Sequence, residues 1–298
     1  MYKAHFGLTE VPFGLTPNTQ FYHPLVPHFE ALQVLTTALA AGEGFIKVTG
    51  EVGTGKTLIC RKLLNELGDN YVIAYLPNPY LTPNEIRAAI ASELSIDASL
   101  DQHQLTEALN HHLIALSAAD KQVVLLIDEA QVLPHETLEA LRLISNLETE
   151  SKKLLQVVLF GQPELDTRLQ QDNLRQLRQR ITFSYQLRPL LANETSSYVE
   201  HRLTISGYRG APLFEVKALR LLHQASGGIP RLINILAHKC LMLSYGENVR
   251  NINTNLVKLA IQDTESAMQP RNLRLPIMAG ILVIEMMLVI WWFGESIL

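Results

Sequence analysis

Cysteine is scarce: the 298 residues contain two, Cys60 and Cys240. Two thiols build neither a disulfide framework nor a four-cysteine zinc site, and a reducing compartment is the expected setting for the bulk of the chain. Both cysteines read as small core residues rather than reactive thiols. Charge is sparse as well, with Asp, Glu, Lys and Arg at 18% against roughly 25% in an ordinary soluble domain. There is no basic excess: the formal net charge is −4 and the pI is near 6.2. This excludes a globally basic nucleic-acid binder, although not a local basic patch. The first thirty residues hold no apolar run behind a basic start, so no signal peptide is expected. The chain shows no internal repeat and no low-complexity tract. His103, His111 and His112 share one polar stretch but lack a carboxylate or thiol at metal-ligand spacing, and His135-Glu136 lacks the second histidine of a zinc-protease helix.

Apolar residues, by contrast, make up 47%, with a mean hydropathy of +0.10. That rules out a disordered chain and supplies a sizeable core. Part of the excess lies in one run, Ile277–Phe293, whose only charge is Glu285. A helix of that length spans roughly 26 Å, at the short end for a hydrocarbon core of about 30 Å. Placing an acid at its centre costs on the order of 3 kcal/mol, which the run's Ile, Leu, Val and Phe residues offset. Trp291 and Trp292 fall where an interfacial belt would lie, and Arg271 and Arg274 flank the N-terminal side. The run is expected to be a single transmembrane helix at 277–293 after a linker at 269–276. The alternative is a buried C-terminal helix of a soluble domain. The arginines place the N-terminal bulk in the cytoplasm and a short tail, 294–298, on the far side.

The rest alternates between strands and helices. Strand-like runs are Phe45–Thr49, Tyr71–Leu76, Val123–Ile127, Leu154–Phe160 and Ile181–Leu187. Helical patterns fall at Thr57–Leu67, Pro83–Leu94, Gln102–Ser117, Glu136–Glu150 and Pro163–Leu177. This alternation predicts a parallel sheet covered on both faces. From about Asn193 the pattern is all-helical: Glu194–Ser206, Phe214–Ala225, Ile229–Ser244 and Asn255–Met268. The expected organisation is an α/β domain over 1–190, a helical lid over 191–268, then linker, membrane helix and tail.

Gly50-Glu51-Val52-Gly53-Thr54-Gly55-Lys56-Thr57 fits G-x-x-x-x-G-K-[ST] between a strand and a helix. Glycines let consecutive backbone N–H groups curl around a β-phosphate, and Lys56 reaches the β and γ oxygens. The Thr57 hydroxyl ligates Mg²⁺, and the following helix turns its positive end toward the anion. Val123–Ile127 reads as a buried strand that delivers Asp128 and Glu129 to the sheet edge where α/β ligands collect. Asp128 is expected in the Mg²⁺ shell, and Glu129 is expected to polarise the water that attacks the γ-phosphorus. Loop and carboxylates together read as ATP hydrolysis rather than transfer to a bound acceptor.

Softer sites surround these. Leu154–Phe160 is expected between the two motif strands, which puts Gln162 near the γ-phosphate as its sensor. Arg175, Arg178 and Arg180 precede the last strand; either they form a solvated face, or Arg178 or Arg180 reaches a neighbouring subunit's site as an arginine finger. Arg231 follows Gly228-Ile229-Pro230 at a helix start. It is either a surface cap or a γ-phosphate reader that reports through lid closure.

These motifs together resemble the AAA+ ATPases of the general secretion pathway protein A (ExeA-like) family. The resemblance runs through Tyr2, Phe6-Gly7-Leu8, Pro12-Phe13, Leu15-Thr16-Pro17-Asn18, Phe21-Tyr22 and His28–Leu32. It continues through Gly50–Thr57, Ile127–Gln131, Gly161–Leu165, Gln179-Arg180-Ile181 and Gly228–Arg231. Long members continue into a periplasmic peptidoglycan-binding domain, whereas this shorter chain is similar to ATPases of mannose-sensitive haemagglutinin (MSHA) type IV pilus biogenesis. The resemblance implies an ATP- and Mg²⁺-dependent ATPase in the bacterial inner membrane, a ring-forming homo-oligomer (a hexamer), serving type IV pilus or type II secretion assembly. It further implies that Pro12 and Phe13 pack near the adenine. The competing function is a DNA-transposition helper, which shares the core; the apolar run and the acidic balance argue against nucleic acid.

Overall fold

The computed structural model describes residues 2–16, 18–148 and 153–269. In chain order its elements are α1 (Tyr2–Phe6), α2 (Val26–Ala40), β1 (Phe45–Gly50), α3 (Lys56–Glu66), β2 (Tyr71–Leu76), α4 (Pro83–Glu93) and α5 (Gln102–Ala118). There follow β3 (Gln122–Ile127), α6 (His135–Ile144), β4 (Leu155–Gly161), α7 (Pro163–Leu169), α8 (Arg175–Arg178) and β5 (Ile181–Leu187). The chain then continues through α9 (Ala192–Ile205), α10 (Val216–Ser226), α11 (Pro230–Gly246) and α12 (Thr254–Gln262).

The five strands form one sheet in the order β2-β3-β4-β1-β5, all neighbours parallel. β4 therefore lies between the two motif strands, as the sequence suggests. In register, Ile127 faces Leu159 and Thr49 faces Gly161, so the three strand ends that carry the motifs converge on one edge. Central β3 and β4 are almost wholly buried because helices cover both faces. On one face Phe45, Leu125 and Val157 pack against α4, α5 and α6; on the other Ile46, Leu126 and Phe160 pack against α2 and α3.

Two helices differ from their sequence pattern. The continuous helix expected over Pro163–Leu177 is broken. Gln171 takes an extended backbone (φ −64°, ψ 145°) and opens a 3-10 turn at Asp172–Leu174. Leu165, Leu169, Leu174 and Leu177 all still reach the core, so burial is kept by bending the chain. α2 was not anticipated: its apolar stripe, Ala31, Leu32, Leu35, Ala38 and Leu39, covers β1 and β5.

α9 to α12 share a separate core that also takes in Tyr2, Phe6, Leu8, Phe13 and Leu25 from the opposite end of the sequence. Tyr2 Oη lies 3.0 Å from His238 Nδ1 on α11. Cys60 and Cys240 are fully buried, and burial pushes the Cys240 thiol up to about 12 and that of Cys60 higher still.

The fold class needs one correction. Among the described residues no helix is long and apolar enough to cross a membrane. The longest, α5 and α11, have 17 residues each, and α11 carries Arg231 and Lys239. The run 277–293 and the tail 294–298 lie outside the described residues, as does the linker beyond Gln269. The architecture is thus a parallel-sheet α/β core with a helical lid. The single-pass placement in an inner membrane is withdrawn with the spanning helix.

Candidate nucleotide site

The glycine-rich loop joins β1 to α3 at the carboxyl edge of the sheet. Gly53 (φ +84°) and Gly55 (φ +106°) hold left-handed conformations that side chains resist. Space is equally tight: a Cβ on Gly53 would lie 2.6 Å from the Arg231 Cβ, and one on Gly55 2.9 Å from the His28 ring. His28 is buried, and its Nε2 stands 2.8 Å from the Thr54 carbonyl oxygen. A carbonyl only accepts, so that nitrogen carries the hydrogen. Burial lowers the His28 pKa, which favours the neutral ring.

Lys56 opens α3 and is buried. Its ammonium donates to the carbonyls of Gly50 at 2.7 Å and Glu51 at 3.1 Å. Burial pulls its pKa down, and the carboxylates of Glu129, Asp128, Glu51 and Glu164 push back. The Thr57 hydroxyl donates to Asp128 Oδ2 at 2.7 Å, and the Glu129 N–H donates to Asp128 Oδ1 at 2.9 Å. Burial raises the Asp128 pKa against those two hydrogen bonds. Hydroxyl and carboxylate side by side are hard oxygen donors of the kind Mg²⁺ takes, so the residues present fit that ion.

Glu129 has a left-handed backbone (φ +54°), uncommon for a residue with a side chain, at the turn leaving β3. Its Oε2 accepts from Gln131 Nε2 at 2.5 Å and from Gln162 Nε2 at 3.1 Å. Gln162 also donates its backbone N–H to Gln131 Oε1 at 3.0 Å. Arg168 on α7 donates to the carbonyls of Gln131 and Leu133.

A cavity of about 200 Å³ opens over the loop. Gly53, Gly55, Lys56, Thr57 and Glu129 line it from the α/β core. Gly14, Leu15, Thr16, Asn18 and Phe21 line it together with lid residues Tyr198, Arg202 and Asn234. Arg231 lines it too, in the first turn of α11 behind Pro230. Gln162 is not part of the wall and meets the site through Glu129. Pro12 and Phe13 are not in the wall either. Phe13 is buried in the lid core, and the Pro12 carbonyl accepts from Arg202 Nε at 2.5 Å; the next residues, Gly14–Thr16, face the cavity instead. Arg178 is exposed and donates to the Gln170 carbonyl, and neither it nor Arg180 lines this cavity.

Three functional features escaped the sequence reading: the His28 buttress, the Gln131 bridge and the Arg202–Tyr198–Asn234 chain. In that chain Arg202 donates to Tyr198 Oη at 2.9 Å, which donates to Asn234 Oδ1 at 3.1 Å. His28 and Gln131 both sit inside quoted motifs, but spacing alone did not reveal their partners.

Residues 39–169 match the family model of the AAA domain. Over 294 residues the chain is 42% identical to General secretion pathway protein A of Aeromonas hydrophila, covering 98% of this chain and 54% of that protein. The chain thus carries an AAA domain and is similar to that Aeromonas protein along almost all of its own length. It spans about half the length of that Aeromonas relative. Solved structures agree in fold. The Aeropyrum pernix ORC2 protein superposes with a TM-score of 0.61 at 16% identity, covering 82% of this chain and 68% of its own. Cdc6p of Pyrobaculum aerophilum gives 0.59 at 19%, covering 84% and 68%. The RuvB branch migration motor of Thermotoga maritima gives 0.52 at 20%, covering 79% and 67%. At such identities the likeness is one of fold.

Proposed function

We propose that the chain hydrolyses Mg-ATP with an activated water and uses the cycle to move its helical lid. The observation that carries this reading is the convergence of Lys56, Thr57 and Glu129 on one cavity that Arg231 of the lid also lines, with Asp128 bonded to Thr57 behind it. Backbone N–H groups of the loop and the start of α3 hold the phosphates. Lys56 balances their charge. Glu129 takes the proton of the attacking water, oriented by Gln162. A bound Mg²⁺ would supply neutralisation of phosphate charge, and Thr57 and Asp128 are the residues that would hold it. Arg231 reads the γ-phosphate from the lid side.

The output is organisational. The likeness to General secretion pathway protein A supports a secretion-pathway machine, either type II secretion or a related type IV (MSHA-like) pilus, as the partner. A homo-oligomeric ring is the assembly in which Arg178 or Arg180 would meet a neighbour's nucleotide. The net charge of −4 argues against DNA as the partner.

Turnover of Mg-ATP by the full chain tests the reading. Lys56→Ala should weaken ATP binding by roughly 100-fold or more. Glu129→Gln should keep ATP binding and lower kcat by roughly 10²–10⁴-fold. Wild-type turnover in Glu129→Gln would refute the water-activating role.

A further inference from the structure

Glu129 does not stand alone at the end of β3. Two amides donate to the same carboxylate oxygen, Oε2, one from Gln131 and one from Gln162. Gln131 joins both partners, since its Oε1 also accepts the backbone N–H of Gln162. That second bond fixes the amide's orientation. Oε1 is committed to an N–H, so the NH₂ group must face Glu129. The backbone is pinned as well, because Arg168 grips the carbonyls on either side of Val132, those of Gln131 and Leu133. Even the approach is built for it. A Cβ on Gly161 would come 3.4 Å from Gln131 Oε1 and 2.7 Å from the Leu165 side chain. The turn after β3 and the start of α7 therefore behave as one hydrogen-bonded unit.

We infer that Gln131 is the positioning residue that ties Gln162 to Glu129, so that a shift of Gln162 toward a γ-phosphate is transmitted to the carboxylate. Gln131 does not line the cavity, whereas Glu129 does. Gln131 therefore acts through Glu129 and not on the nucleotide. With Oε2 occupied by two donors, Oε1 is left to face the water. The inference rests on the proposed ATPase reading and adds a residue to it.

The experiment compares the wild-type full chain with Gln131→Met, which keeps the volume and removes both hydrogen bonds, and with Gln131→Glu, which keeps the length but sets a carboxylate against Glu129. Gln131→Met is expected to lower kcat roughly 10–100-fold, because misplaced catalytic groups lose rate on that scale. KM for ATP and Kd for ADP should stay within about twofold, since ground-state binding is untouched. Gln131→Glu should lower kcat at least as far, and it carries the test if the methionine variant does not fold. An unchanged kcat in either folded variant overturns the role. So does a loss of kcat matched by an equal loss of ADP affinity and a lower Tm, which marks a structural residue only. Absence of turnover in the wild-type chain overturns the ATPase reading itself, and the positioning role falls with it.

Discussion

The backbone N–H of Arg231 donates to the carbonyl of Gly53 at 3.1 Å, tying the first turn of lid helix α11 to the phosphate loop. Lid and loop are thus joined by main chain and by close packing, with Gly53 pressed against Arg231 and Ile229.

Gly53→Ala should uncouple them. The new methyl would stand 2.6 Å from the Arg231 Cβ and 3.2 Å from Ile229 Cγ2, at a φ of +84°. Left-handed backbone costs a residue with a Cβ roughly 1–2 kcal/mol, and the contact drives the lid away. ATP affinity is expected to fall about tenfold or more. Gly44→Ala is the control, since its Cβ meets only Lys153 at 3.8 Å. Isothermal titration of both variants checks this; equal affinities would separate the lid contact from binding.

The arginines before β5 make a prediction about assembly. Gly50 pairs with Leu187 and Phe45 with Ile181, so Arg178 and Arg180 precede the sheet edge opposite the phosphate loop. A strand of that length puts roughly 17 Å between the two edges. They stand too far from this chain's own loop to serve it, so an arginine finger here would have to act on a neighbour's nucleotide. Mixing Arg178→Ala or Arg180→Ala chains with Lys56→Ala chains should restore turnover above that of either parent, because some interfaces then combine an intact loop with an intact arginine. No gain in either mixture sinks the trans role.

A third prediction concerns acid stability. Arg188 donates to Glu194 Oε2 at 2.8 Å and to Oε1 at 2.9 Å, and the Leu191 N–H donates at 2.7 Å, holding the start of α9. The Arg188 hydrogen bonds depress the Glu194 pKa below its usual 4.5. A depressed carboxylate stabilises the fold fully above the unfolded value and loses that contribution as pH falls through the folded one. Wild-type Tm should thus drop below about pH 4.5. Glu194→Gln should cost about 1–3 kcal/mol at pH 7 and flatten that drop. Thermal melts from pH 7 to 3 decide; parallel profiles for the two proteins would contradict the assignment.

Much of this was legible in the sequence because strands and phosphate loop are local signals. Val123–Ile127 is apolar throughout and ends in two acids, and the spacing of Gly50–Thr57 carries its own chemistry. The break at Gln171 was hidden because no Gly or Pro marks it; the chain bends to keep Leu174 and Leu177 buried. α2 is hard to read because exposed Val26 and Phe29 blur the apolar stripe of Ala31, Leu32, Leu35, Ala38 and Leu39. Gln131 was legible as a letter but not as a bridge, since its partners Glu129 and Gln162 belong to different strand ends. Pro12 and Phe13 were placed at the base, whereas burial draws Phe13 into the lid and leaves Gly14–Thr16 at the cavity.

The lid core recruits Tyr2, Phe6, Leu8 and Phe13, with Tyr2 and His238 in contact across 236 positions. Such pairings close a very large loop, and their entropy must be met before the contact gives anything back. During synthesis these residues emerge before α11, the element that shelters them. The α/β core is free to form in the interval, whereas this part of the lid core waits for α11. The two ends of the described chain thereby act as a clasp, whose closing finishes the nucleotide cavity.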